Sequence, residues 1–405
     1  MGLLDWLFSP KEVTREAFVQ EAIELLERAG GTNFTFDAER FALRGADHTW
    51  FLDNAFARTK GLSKHKRRME LERFVATVIE APTIDVSTLD MAAPLLKPTL
   101  RLRGRDATTQ LQAMLDGSAS TDIVPYAFEP LVDELIVRPV VDTQVSMLHV
   151  DAERLGEWGI SVENALKIAL ANIRHEVVPA GFTRLQDGVL AGAWLPDYQP
   201  CAMLFPEIFR NLGLRGAPVV APLTRGLIYV TGSEDMAGLA RVLTLAEQSI
   251  TRELYPCSAS LYRHDGRSWS KFMPTGNSEV ERLAHRVETL QAWELYETQQ
   301  RLLNRVHEKT GIDIFVATFM VVERGPAMFS VSSWARNVLS LLPRTDVLAI
   351  QLEDGSNRTV SWEAAFEAFG DLMKEEPDLW PRRWRVKRSP GDAQITALPE
   401  YQSEA

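Results

Sequence analysis

Cysteine is scarce: the 405 residues hold two, Cys201 and Cys257, far apart and without CxxC spacing. Such usage excludes a disulfide framework and a cysteine-rich zinc site, and it fits a reducing cytoplasm. Long apolar runs are missing as well. No stretch approaches the roughly 18 residues that a transmembrane helix requires. The opening MGLLDWLFSP has no basic n-region and no small-residue cleavage site, so it is not read as a signal peptide. Its Leu4, Trp6 and Phe8 are expected to pack onto the protein surface, with a short membrane-touching amphipath as the alternative. Positive charge is in deficit: the formal net charge is −11. A chain this acidic is a poor general polyanion binder, because phosphate recognition needs a clustered positive field.

Catalytic signatures are absent in recognisable form. There is no GxSxG elbow, no Walker GxxxxGK[ST] and no GxGxxG following a strand. His175-Glu176 and His307-Glu308 look like half of a zincin motif. HExxH needs a second histidine one turn on, and those places hold Pro179 and Gly311. Both histidines are read as helix-end residues that favour the dipole. No metal and no cofactor is expected.

What the chain does have is an ordinary globular composition and a length that suits two or three domains. PKEVTREAFVQEAIELLERAGG reads as a helix with Pro10 and Thr14 as start signals, Phe18, Ala22, Leu25 and Leu26 on its apolar stripe and Gly30-Gly31 as its stop. Two strand-like runs follow, TNFTFDAERFALRG and HTWFLDNAF. A second helix, SKHKRRMELERFVATVIEAP, carries Met69, Leu71, Phe74, Val75 and Val78. Its basic start is offset by Glu70 and Glu72 as partners of Arg67 and Arg68. Residues 83–125, including GSASTD, read as a linker with short strands. Asp151 and Ser161 are placed to cap helices. RHDG and LEDG read as hairpin turns, Ser233 in YVTGSED as a turn residue, and ELYETQQRLLNRVHEK as a long amphipathic helix.

A comparison within the chain shows a repeat. ANIRHEVVPAGF (171–182) matches LNRVHEKTGIDIF (303–315), and QPCAMLFPEIFRNLGL (199–214) matches GPAMFSVSSWARNVLSL (325–341). PLTRGLIYV (222–230) matches PRTDVLAIQ (343–351), and ELYPCSASLYRHDG (253–266) matches DLWPRRWRVKRSPG (378–391). Residues 160–274 and 292–391 are therefore read as two copies of one unit, each running helix, two strands, helix, strand, helix, strand. In the last pair the cations do not recur: Arg382, Arg383, Arg385 and Lys387 face Cys257, Ser258, Ser260 and Tyr262. Alternation puts Arg383, Arg385 and Lys387 on one face and Trp384 and Val386 on the other. The expectation is a solvent-facing edge strand, with these three cations as a candidate binding surface.

VVDTQVSMLHVD offers the least unconvincing catalytic candidate. His149, within reach of the Asp142 and Asp151 carboxylates, could be a general base or a metal ligand, with Arg225 as an additional charge. His149 shares its side of the strand with Val145 and Met147, which predicts a partly buried structural histidine.

Three segments are similar to the YtpQ-like bacterial family, whose function is unassigned. They are FLDNAFARTKGLSKHKRRMELERFV, FEPLVDELIVRPVVDTQVSMLHVDAERLGEWGISVENALKIALANI, and APLTRGLIYVTGSEDMAGLARVLTLAEQ with LYRHDGRSWSKF. The resemblance covers about residues 20–272 and leaves the C-terminal repeat outside it. It implies a bacterial, cytoplasmic α+β protein and supplies no catalytic residue.

The expected fold class is α+β, with mixed but mainly antiparallel sheets flanked by helices. The expected domains are 1–125, 126–274 and 275–405. The expected role is a non-enzymatic interaction protein that binds a protein or peptide. The alternatives are an enzyme around Asp142 and His149, and a nucleic-acid-associated protein using the basic 382–388 strand.

Overall fold

The computed structural model describes residues 13–31, 34–38, 41–45, 49–59, 62–80, 85–116, 126–143, 147–178, 181–194, 197–252 and 256–402. Leu4, Trp6, Phe8, Pro10 and the GSASTD stretch lie outside the described residues. The chain divides into two compact units, residues 1–97 with 139–172, and residues 98–138 with 173–405. These boundaries differ from consecutive domains cut after 125 and 274.

Helix α1 (Arg15–Arg28) begins where the Thr14 hydroxyl accepts a hydrogen bond from the Ala17 amide, 3.2 Å. Strands β1 (Thr35–Asp37), β2 (Ala42–Arg44) and β3 (Thr49–Phe51) form a three-stranded antiparallel sheet. Helices α2 (Asp53–Thr59), α3 (Lys64–Glu80) and α4 (Leu89–Ala92) follow. Phe18, Ala22 and Leu26 of α1 and Leu71, Val75 and Val78 of α3 are buried in one cluster with Leu43 and Leu52. Met69, expected on that face, is exposed. Arg68 pairs with Glu72 as its spacing suggests, whereas Arg67 reaches Glu21 on α1 and leaves Glu70 to Arg73.

After β4 (Leu96–Leu102) comes α5 (Arg103–Asp116), a helix where a linker was expected. Strands β5 (Glu129–Val132), β6 (Leu135–Asp142) and β7 (Met147–His149) pair antiparallel through β6. Helix α6 (Ala152–Trp158) is capped by Asp151, whose carboxylate accepts from the Arg154 amide at 2.8 Å. Ser161 does the same for the Asn164 amide at the start of α7 (Val162–Val177).

Strands β8 (Phe182–Arg184), β9 (Leu190–Gly192), β10 (Pro218–Thr224) and β11 (Leu227–Gly232) lead to helix α8 (Met236–Arg252). With β12 (Tyr262–His264) and β13 (Trp269–Lys271) they make a six-stranded antiparallel sheet, order β13-β12-β10-β11-β9-β8. Asp265 closes the β12–β13 turn by accepting from the Arg267 and Ser268 amides. Helix α9 (Ser278–Thr310) starts at Asn277, whose side chain accepts from two amides, and runs 33 residues. At a rise of 1.5 Å per residue that is about 50 Å of helix.

Strands β14 (Phe315–Val316), β15 (Met320–Arg324), β16 (Ala327–Trp334), β17 (Ser340–Pro343), β18 (Val347–Gln351) and β19 (Asn357–Ser361) precede α10 (Trp362–Phe369), β20 (Lys374–Glu376), β21 (Arg383–Val386) and α11 (Asp392–Thr396). They form two four-stranded sheets, β14-β17-β21-β20 and β15-β16-β18-β19. β14 with β17 and β16 with β18 pair parallel, β4 lies beside β6, and most of the other pairings among the described strands are antiparallel. The molecule is an α+β protein.

The segments that the sequence comparison pairs share part of their element order but not their sheets. Ser258 donates its amide to the Pro222 carbonyl, and its counterpart Arg383 is the register partner of Pro343, the counterpart of Pro222. The helix expected within 325–341 is instead β16, because AMFSVSSW alternates apolar and small polar residues with the period of a strand. β10 and β11 form a hairpin in one sheet, whereas β17 and β18 separate into two.

Two glycines give opposite expectations. A Cβ on Gly232 would overlap the Arg215 backbone, whereas one on exposed Gly156 of α6 meets nothing within 4 Å. Chemical denaturation should show Gly232→Ala destabilised by about 1–3 kcal/mol or more. It should show Gly156→Ala stabilised by about 0.5–1 kcal/mol.

Candidate functional site

The basic strand is not a surface. β21 lies between β17 and β20, so it is no sheet edge. Arg383 is fully buried, and Trp384 and Val386 on the other face are buried as well. Alternation assigns side chains to two faces, but it does not say which faces are open; here α9 covers the arginine side. The Arg383 guanidinium donates from Nε to the Gln299 side chain at 2.7 Å. From Nη1 it donates to the carbonyls of Ala317 and Leu341 at 2.8 and 3.0 Å, and from Nη2 to that of Tyr296 at 3.4 Å. Burial lowers its pKa to about 10, so it remains a cation at neutral pH. Arg385 pairs with Glu376 at 2.6 Å, and Lys387 is exposed. Arg382 pairs with Glu375 and lies 4.1 Å over the Trp380 ring, whose other guanidinium neighbour, Arg103, lies at 4.0 Å. The cations of this stretch thus serve mainly to assemble the fold. Of the other basic run, Arg67 and Arg68 are both paired.

Arg383 fixes the backbone that follows α9. Helix α9 ends at Gly311, whose φ of 70° reverses the chain. Ile312 then donates to the His307 carbonyl, and Phe315 and Ala317 donate to Leu339 and Leu341. The Val316 carbonyl accepts from Gln300 at 2.8 Å and the Ala317 carbonyl accepts from Arg383. Val316, Ala317 and Phe319 point inward, and Phe319 stacks on Tyr296 at 5.0 Å. Residues on either side of this buried run are exposed. Ile312, Phe315 and Met320 are 45, 50 and 43% exposed, and Val338, brought beside them by the β14–β17 pairing, is 40% exposed. Three of the large exposed apolar side chains among the described residues therefore sit on one short, tightly held stretch, with a fourth on the segment that enters β17. An apolar concentration on a backbone with its hydrogen bonds already made marks a contact surface.

Strand addition is a poorer fit at the neighbouring edges. Tyr401 donates its amide to Thr359 and covers the outer edge of β19, and β20 reads Lys-Glu-Glu.

The acid–base candidates take other roles. Asp142 lies 3.6 Å from Lys97, and His149, opposite Val140 on β7, is exposed rather than partly buried. Arg225 belongs to the other unit and lies 3.4 Å from Asp197. His175 is exposed, and His307 sits against the Ile314 carbonyl at 3.2 Å. Among the described residues no group of three or more His, Cys, Asp or Glu could hold a metal ion. Cys201 and Cys257 are free and buried. No described helix is long and apolar enough to cross a membrane.

A histidine–carboxylate pair that spacing gave no sign of joins α9 to the β17–β18 turn. His285 Nε2 lies 3.5 Å from Asp346 Oδ2, and that same oxygen accepts from the Ser330 amide and hydroxyl at 2.7 Å each. The Asp346 hydrogen bond, against the opposing effect of burial, raises the His285 pKa. Burial opposes ionisation of Asp346, but His285 and Ser330 outweigh it and hold the carboxyl below its usual range. A hydrolase relay would place the imidazole between carboxylate and hydroxyl. Here the carboxylate stands between them, so His285 activates no nucleophile at Ser330.

No protein-family model, curated protein or solved structure matches the chain.

Histidine NMR titration checks the pair. His285 should titrate above its ordinary value of about 6.5, and Asp346→Asn should bring it down. With its folded pKa raised, His285 contributes stability that is full below about pH 6.5 and is lost as pH rises through the folded value. Asp346, with its folded pKa lowered, loses its contribution as pH falls through its own folded value. A His285 titration at or below the ordinary value contradicts this.

Proposed function

We propose that the chain is a non-catalytic interaction protein that docks a protein or peptide partner through the surface formed by Ile312, Phe315, Met320 and Val338. One observation carries the reading: these apolar side chains stand exposed on a backbone tied down by Gln300 and Arg383. Preorganisation of this kind lowers the entropic cost of docking. Exposed large apolar side chains scattered singly need no explanation, but a group of them does.

The enzymatic alternative gains nothing from Asp142, which lies against Lys97, or from the His285–Asp346 pair, where the carboxylate stands between the imidazole and the Ser330 hydroxyl. The nucleic-acid alternative loses its main element with the burial of Arg383. Membership of residues 20–272 in the YtpQ-like family, a bacterial source and a cytoplasmic location belong to the same proposal and rest on the sequence.

Affinity capture with the tagged full chain tests the surface. A stoichiometric protein partner retained by the wild type should be lost with Ile312→Asp/Phe315→Asp and kept with Arg385→Glu/Lys387→Glu. The aspartates and Lys387→Glu change exposed positions, so they should leave stability within about 1 kcal/mol of the wild type, whereas Arg385→Glu also breaks the Glu376 pair and its fold is checked by circular dichroism. Capture that survives the aspartates, or nucleic acid that depends on Arg385 and Lys387, would overturn the proposal.

A further inference from the structure

A second site lies apart from this surface in the chain, where the 210–217 loop meets the β12–β13 hairpin. It is a cavity of about 250 Å³. Pro206, Phe209, Leu212 and Leu214 supply apolar walls, and Arg210 and His264 are the titratable residues in the lining. No acidic residue lines it.

The walls are built in. Trp269 donates its indole N–H to the Met203 carbonyl at 2.8 Å, which ties the hairpin to the 3-10 segment Gln199–Leu204. Phe209 packs edge-on against Trp269 with ring centres 5.5 Å apart, and His264 does so at 4.9 Å. The imidazole is thereby held against Trp269, and His264 is only 9% exposed. Its Nδ1 accepts the Gly266 amide at 3.1 Å. In the neutral ring the proton must then sit on Nε2, leaving an N–H donor that takes no partner among the described residues. Burial depresses the His264 pKa, Asp265 opposes that effect and Arg210 adds to it, so the neutral donor is the form present at pH 7. The Asp265 carboxylate is committed to the turn amides of Arg267 and Ser268. Arg210 is exposed at the rim and makes no ion pair among the described residues.

We infer that this cavity binds a small organic carboxylate with an apolar body. The carboxylate is held between the Arg210 guanidinium and the His264 Nε2–H, and the hydrocarbon lies against Phe209, Leu212 and Leu214. The chemistry is directional: both titratable residues of the lining are donors and none is acidic, so a cationic or zwitterionic ligand is disfavoured. A planar guanidinium suits a carboxylate through paired N–H donors. Size limits the ligand too, since drug-sized pockets run from about 300 to 1,000 Å³ and this one lies below that range. Inorganic anions would leave the apolar walls unused.

Hexanoate and 3-phenylpropionate are the probes, titrated into the full chain while the histidine ring resonances are followed by NMR, with calorimetry in parallel. Saturable movement of the His264 signal is expected with both. Arg210→Gln, which alters an exposed side chain, should weaken binding tenfold or more. His264→Phe should abolish binding, and its fold is checked by the remaining histidine signals. Absence of saturation in the wild type would overturn the assignment. So would an unchanged affinity in Arg210→Gln, or inorganic phosphate binding as well as hexanoate. The apolar contact surface is left intact by both variants, so failure here and failure of the docking proposal are separable.

Discussion

One buried cation organises the C-terminal half of this protein. Taking a guanidinium out of water costs several kcal/mol after relaxation, and Arg383 meets that cost without a carboxylate among its hydrogen-bond partners. Carbonyl dipoles and one amide oxygen receive its N–H groups: Gln299 and Tyr296 of α9, Ala317 after β14, and Leu341 of β17. Hydrogen bonds from a charged donor each contribute about 1.5–3 kcal/mol, and the planar fork directs them to separate segments at fixed angles. Lysine, with a point charge and no fork, could not hold three elements in one register.

Helix α9 makes that arrangement possible. Its buried stripe includes two glutamines, Gln291 and Gln299, where apolar residues would be expected. Gln291 accepts from the Ala259 amide and donates to Ser260, and Gln299 donates to the Pro381 carbonyl while accepting from Arg383. The two glutamines thus serve segments that the sequence comparison sets opposite each other, Ser258–Ser260 and Arg383–Arg385. Both glutamines bond to the backbone directly, and at the second place the arginine carries the bonding further, to Ala317, Leu341 and Tyr296. Fixing α9 in this way also fixes what leaves its C-terminus, and the outward side chains of 312–320 follow.

Much of the local structure was legible because the governing interactions are local. Thr14, Asp151 and Ser161 cap helices at the expected places, the apolar stripe of α1 is buried, and both Asp-Gly segments turn hairpins. Interactions between distant segments were not legible. A four-residue strand with alternating cations looks solvent-facing until a helix some 80 residues upstream is known to lie on it. Arg103–Asp116 reads poorly as a helix because Gly104, Thr108 and Thr109 are weak formers. Its two threonine hydroxyls bond back to the Arg105 carbonyl, and Arg105 pairs with Glu294 of α9. His285 and Asp346 carry no spacing signal at all. The candidate carboxylate site shares that difficulty, since Arg210 and His264 come together only through Trp269 and its anchor on Met203.

The direct test of the central claim is amide hydrogen exchange over residues 313–322 in the wild type and in Arg383→Met. Phe315 and Ala317 donate their amides to β17, and Arg383 holds the carbonyls of Ala317 and Leu341 from the other side. If the guanidinium is what holds this stretch, the variant will lose protection there while β10 and β11 keep theirs. Unchanged protection over 313–322 would contradict the claim and leave the exposed apolar surface without its support.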